Sequence, residues 1–251
     1  MTNSLRKLIA GNWKMNGLKA SLDEARAVAE TLARQPCPER VAICPPATLI
    51  ASMVQALEGS AVEVGGQNCY IEPTGAFTGE ISAEMLADAG AQLVILAHSE
   101  RRQLFGETDA STAEKVRAAL RAGLEPIVCV GETLAEREAG HTLDIVARQV
   151  RGSCPSDLKG CAFSVAYEPV WAIGTGLTPT LEQIEEVHFA IRGLLAEALG
   201  EAGRVAPILY GGSVKPSNAK EILAVAEVGG ALVGGASLKA QDFLGIIRAA
   251  E

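Results

Sequence analysis

Eight short, β-rich runs separated by longer helical patterns are the feature that most narrows the folds open to this chain. The runs read KLIAGNW (7–13), RVAICP (40–45), VEVGGQ (62–67), LVILA (93–97), EPIVCV (125–130), FSVAYE (163–168), PILYG (207–211) and ALVGG (231–235). Several are apolar with little alternation, as strands buried on both faces of a helix-covered parallel sheet must be. A hydrophobic fraction of 48% with only 4% aromatic residues gives an aliphatic, alanine-rich core, which favours α/β over a β-sandwich. Ser21 with Glu24, and Thr180 with Gln183, have the spacing of reciprocal capping boxes and mark helix starts. After Thr180, the residues Leu181, Ile184, Val187, Ile191, Leu194 and Leu195 repeat on one helical face, and Gly200 is placed to end that helix in the left-handed conformation.

No Pro- or Ser-rich linker and no charge block divides the 251 residues. The expectation is one α/β domain over 1–251, a closed eight-stranded parallel (β/α)8 barrel. A doubly wound open sheet is the alternative. Such sheets carry GxGxxG after an early strand, whereas the first turn here reads GNWKMNG.

Composition narrows the partners. Against 30 Asp and Glu stand 22 Lys and Arg, and the resulting charge of -8 repels a phosphate backbone, so no nucleic acid is expected. The N-terminal MTNSLRKLIAGNW has only the short run LIAG, and no stretch approaches the ~18 apolar residues of a spanning helix. Neither a secretion signal nor a membrane segment is expected. Cys37, Cys44, Cys69, Cys129, Cys154 and Cys161 form no CxxC pair, and Cys129 sits inside the apolar PIVCV. They read as reduced structural thiols, which suits a cytoplasmic protein.

Barrel active sites lie at the C-terminal strand ends, so the residues after each run become candidates. After the first run, alternation sends Asn12 and Lys14 to the same side. A solvated surface lysine is the bland reading of Lys14. After the fourth run, AHSERR places His98 at the start of a short helix, whose N-terminal dipole disfavours imidazolium and leaves a neutral hydrogen-bond donor. A capping or core histidine is the competing reading, and for His141 and His188 the structural reading is preferred. After the sixth run, Pro169 forces the strand to end at Glu168, a carboxylate that burial would turn into a competent base. A rim salt bridge is its alternative. The following PVWAIGTGLTP has apolar residues between two prolines and reads as a lid over the site, or as a loop packed permanently on the barrel. Gly211, Gly212 and Ser213 in YGGSV, with Gly234 and Gly235 in VGGASL, offer either tight turns or close backbone approach with N–H donors for a phosphate.

Taken together, GNWKMNG, GAFTGEIS, AHSERR, PIVCVGET, AYEPVWAIGTG, YGGSV and VGGASL resemble the triosephosphate isomerase family, in order and across essentially the whole chain. That resemblance implies a TIM barrel and a glycolytic and gluconeogenic isomerase that needs no cofactor and no metal. It would interconvert dihydroxyacetone phosphate and D-glyceraldehyde 3-phosphate through an enediolate. It implies Glu168 as base, neutral His98 as electrophile, Lys14 as charge stabiliser and Asn12 as orienting group, a pairing of glutamate and histidine already described for that family. Gly174, Ser213, Gly234 and Gly235 would hold the phosphate under a lid spanning 169–179. Ser99 and Glu100 would stand behind the centre, Arg101 and Glu107 would pair structurally, and the loop 75–81 would carry Thr78 to a neighbouring subunit in a homodimer. Two positions depart from the family pattern: Ala97 replaces a glycine, and Leu177 stands where a lysine is frequent. A Schiff-base aldolase barrel is a rival, but Lys215 and Lys239 follow glycine-rich turns rather than lying on a buried strand. A barrel that only binds phosphate or a protein is another, and all four reacting positions remain against it.

Overall fold

The computed structural model describes residues 6–173 and 177–251. All eight runs form strands: β1 (Leu8–Asn12), β2 (Arg40–Cys44), β3 (Val62–Gly66), β4 (Leu93–Leu96), β5 (Glu125–Val130), β6 (Ser164–Tyr167), β7 (Ile208–Tyr210) and β8 (Gly230–Val233). Each pairs in parallel with the next, and β8 returns to β1 in the register Leu8↔Gly230 through Gly11↔Val233, closing the barrel.

Closure divides the core by the two-residue period of the strands. Leu8, Ala10, Ala42, Cys44, Ile95, Ile127 and Cys129 are among the side chains that fill the interior. The alternate residues, such as Ile9, Ile43, Val94, Val128 and Val165, meet the helices outside. Small Ala and Cys side chains inside leave room for long neighbours across a narrow lumen. At the N-terminal mouth, Arg40 reaches Glu63 at 2.7 Å and Glu125 at 2.8 Å, tying β2 to β3 and β5 with charge-assisted bonds.

The helix starts divide into one success and one correction. Thr180 and Gln183 form the reciprocal box that begins Leu181–Leu199. Ser21 makes no such cap on Leu22–Arg34, because its hydroxyl accepts the Leu18 N–H at 3.1 Å in a preceding 3₁₀ turn. Glu24 turns away to accept the Ala240 N–H and the Lys239 ammonium, each at 2.8 Å, at the start of the last helix, Ala240–Ala249. On Leu181–Leu199 the buried face holds Ile184, Val187, Ile191 and Leu195, while Leu194 is half-buried and Leu181, at the first position, is exposed. Gly200 does end this helix at φ 63°, but ψ is -129°, so it lies outside the left-handed helical basin.

His188 lies on the buried face, as its structural reading expected, with its ring in a T-shaped contact with Tyr167 and Nδ1 3.3 Å from the Glu227 carbonyl. Burial is the leading cause that lowers its pKa to about 4. An unfolded chain takes up this proton near pH 6.5, so the unfolded state binds more protons between the two values. The associated stability is full above about pH 6.5 and lost as pH falls toward about 4, a span worth about 3 kcal/mol. His188→Gln is expected to flatten the pH dependence of urea unfolding in that window relative to the parent, and an unchanged slope would refute the assignment.

Candidate active site

The C-terminal strand ends open into a cavity of about 260 Å³ whose lining includes Asn12, Lys14, His98, Glu168, Ser213, Gly234 and Gly235. Seven residues expected at the site from five separate stretches of sequence are thus brought together. Gly174 lies outside the described residues. Ser99 and Glu100 are not among the lining residues, and Thr78 lies on the exposed loop 75–81.

Asn12 ends β1, and its side-chain oxygen accepts the Lys14 N–H at 3.0 Å. Lys14 is held at φ 53°, a conformation that costs a non-glycine residue energy. The Gln67 amide pins it by donating to the carbonyls of Lys14 and Cys44 at 2.9 and 2.8 Å. The Lys14 ammonium reaches Glu100 at 2.6 Å, so it is a positioned charge and not a freely solvated one.

His98 caps the helix Ser99–Phe105, as the sequence indicated, and its Nδ1 accepts the Glu100 N–H at 3.2 Å. That bond needs a lone pair on Nδ1, which places the ring proton on Nε2. Nε2 lies 2.9 Å from Glu168 Oε1, and the Ser99 N–H donates to Oε2 at 2.8 Å. Both carboxylate oxygens are therefore occupied. Burial alone would raise the Glu168 pKa, but His98 and the Ser99 N–H outweigh it and hold the carboxyl below its ordinary 4.5. The expectation that dryness raises this pKa is corrected here: the donors at the strand ends win while nothing separates them from Glu168. For His98, burial works downward, and the Glu168 charge and hydrogen bond draw the ring above its ordinary 6.5. The two groups compete for one proton lying between them.

The backbone of Glu168 is set from both sides. Its N–H donates to Val130 at 2.7 Å, and the Gly211 N–H donates to the Tyr167 carbonyl at 2.7 Å. A Cβ on Gly211 would come within 2.9 Å of the Glu168 Cγ, so a side chain there would displace the carboxylate. On the other side, a Cβ on Gly131 would fall 1.7 Å from the Glu168 carbonyl oxygen.

Glu132 is a residue the sequence reading did not single out. It is fully buried after β5 and accepts from the Trp171 indole at 2.9 Å, the Tyr167 hydroxyl at 3.2 Å and Arg137 at 3.2 Å. It thereby anchors the first turn of the expected lid, Val170–Ala172, while Ile173 lines the cavity. Its place directly after a strand was the available signal. The pairs of Arg101 and Lys115 with Glu107 lie outside the cavity, as structural ion pairs should. Among the described residues, no three His, Cys, Asp or Glu side chains cluster to hold a metal ion, and no helix is long and apolar enough to cross a membrane.

Residues 7–250 match the family model of triosephosphate isomerase. The chain belongs to the triosephosphate isomerase family. It is 62% identical over 244 residues to a triosephosphate isomerase of Caulobacter vibrioides, covering 97% of this chain and 96% of that one. Identity to the Ruegeria pomeroyi triosephosphate isomerase is 58%, covering 98% of both chains. The crystal structure of triosephosphate isomerase from Bartonella henselae superposes with a TM-score of 0.90 at 47% identity, covering 98% of this chain and 99% of that one.

Within this family arrangement, Ala97 stands out by its backbone. It is buried at φ 56°, directly before His98, with its carbonyl accepting from Arg102 at 3.2 Å. A left-handed alanine costs roughly 1 kcal/mol relative to a residue without Cβ. Ala97→Gly is expected to raise the free energy of unfolding by about that amount, read by urea denaturation at fixed protein concentration. A loss of stability would contradict strain at this position.

Proposed function

We propose that this chain, working as one barrel domain over 1–251, catalyses the isomerisation of dihydroxyacetone phosphate and D-glyceraldehyde 3-phosphate without a cofactor. The observation that carries the reading is the convergence of His98 Nε2 on the Glu168 carboxylate, at 2.9 Å, inside a cavity that also holds Lys14 and Asn12. Family membership supports the choice of substrate.

A carbonyl oxygen entering between His98 and Glu168 would take over the Nε2–H. Glu168 then loses the donor that depresses its pKa while remaining buried, and burial raises its basicity when a substrate carbon is within reach. The carboxylate removes a proton from one carbon and returns it to the next, and His98 exchanges protons with the two oxygens of the enediolate. Lys14 stabilises the developing negative charge, and Asn12 orients the substrate. Backbone donors around Ser213, Gly234 and Gly235, with Gly174, hold the phosphate in a chain whose net charge of -8 otherwise repels a dianion. Closure of 169–179 excludes water and suppresses loss of phosphate from the enediolate.

The exposed loop 75–81, carrying Phe77 and Thr78, supports a homodimer in which Thr78 reaches the partner's site. Met15, Leu104 and Phe105, 95%, 74% and 66% exposed, are apolar surface that such an interface would cover. Sedimentation equilibrium is expected to give twice the chain mass, and a monomer at micromolar concentration would contradict this. Six unpaired thiols suit a cytoplasmic location.

The test of the reaction is a coupled isomerase assay on the purified protein without added metal or cofactor, in which a dimer lacking turnover would refute the reading. Glu168→Asp is expected to lower kcat about 10²-fold or more with little change in KM, because shortening misplaces the base while phosphate contacts persist. An equal loss in affinity would remove Glu168 from the base role.

A further inference from the structure

Gln149 lies within the helix Thr142–Ser153, outside every motif that carries the family resemblance, yet it is a buried polar side chain 6% exposed. Its amide is committed at both ends to one residue. The Gly131 N–H donates to Gln149 Oε1 at 2.7 Å, and Gln149 Nε2 donates to the Gly131 carbonyl at 3.0 Å. Only one orientation of the amide satisfies both bonds.

Gly131 is where the sheet lets go of the site. The β5–β6 ladder runs in register to Val130↔Tyr167, and the Glu168 N–H to Val130 carbonyl bond at 2.7 Å continues it by one step. Beyond that, the backbone groups of Gly131 turn to Gln149, and its Cα lies so close to the Glu168 carbonyl that no Cβ fits. The next residue, Glu132, accepts the Val170 N–H at 3.1 Å through its own carbonyl. A cavity of about 110 Å³ flanks this junction, lined by Ser99, Arg102, Cys129, Gln149 and Glu168 among others. The end of β5 thus borders open space, and Gln149 is the side chain that grips both backbone groups of Gly131 beside it.

We propose that Gln149 is a positioning residue for the proton transfer: it fixes Gly131, and through Gly131 the backbone of Glu168. This rests on Glu168 being the base. The clamp holds the segment that carries the carboxylate and leaves the phosphate-binding ends of β7 and β8 untouched. Its loss is felt in the chemical step and not in affinity.

The test compares the parent with Gln149→Leu and Gln149→Glu. Gln149→Leu is expected to lower kcat about 10- to 100-fold while KM and the inhibition constant of inorganic phosphate change less than about threefold. Gln149→Glu is isosteric, and its protonated carboxyl can remake both bonds, whereas its ionised form faces the Gly131 carbonyl with like polarity. Its kcat is therefore expected to recover as pH falls, a profile the parent lacks. Independently of turnover, ¹³C NMR titration of Glu168 in the free protein is expected to show its pKa moving upward in Gln149→Leu, as the His98 and Ser99 contacts loosen. Folded variants with parental kcat and an unmoved Glu168 titration would overturn the inference, as would a rise in KM matching the fall in kcat. A parent without turnover but with the Glu168 shift in the variant would sink the isomerase reading alone.

Discussion

The ladder between β1 and β8 is the constraint on which the rest of this molecule depends. An open sheet of eight parallel strands leaves two edges and spreads its C-terminal ends along a line. Pairing Leu8 with Gly230 curls those ends into a ring, so Asn12, His98, Glu168 and Gly234 face one another across a space a small molecule can fill. Gly230 has φ 143°, and a Cβ there would lie 2.0 Å from the Leu8 carbonyl. Closure therefore depends on a missing side chain as much as on the apolar ones that fill the lumen.

Within that ring the electrostatics are a balance and not a single shift. Desolvation pushes Glu168 toward the neutral acid, and three neighbours push it back: the His98 ring, the Ser99 N–H and the Lys14 charge. Lys14 is itself matched by Glu100. Such a site is quiet until something separates Glu168 from His98, which confines basicity to the occupied state in the proposed reaction. The anchoring of Trp171 on Glu132 serves the same end, because it fixes the first turn after Glu168, Val170–Ala172, to the end of the neighbouring strand.

The architecture was legible because eight buried strands interrupted by helices leave few alternatives, and because strand ends in a barrel share one face. That Asn12, Lys14, His98 and Glu168 meet in one cavity was legible for that reason. What was hidden were competitions among polar groups. Ser21 has the spacing of a cap, but a nearer N–H, that of Leu18, claims its hydroxyl. Glu24 was read as its partner, although its carboxylate serves a helix at the opposite end of the chain. The pKa of Glu168 could not be read from burial alone, since its opposing donors His98 and Ser99 come from the turn after β4, 69 residues away in the case of Ser99. Gln149 was invisible for the opposite reason: nothing in an amphipathic helix distinguishes a glutamine that grips a strand end from one facing solvent.

The reach of Glu24 also bears on the order in which the chain can assemble. Its bond to the Ala240 N–H spans 216 residues, and β1 finds its second neighbour only in β8. As synthesis proceeds from the N-terminus, the first strand and first helix emerge with one face of their pairing unmet until the last ones follow. The earliest part of the barrel to be made is therefore among the last to be complete, and its unpaired edge is the surface a nascent chain most needs to keep from other chains.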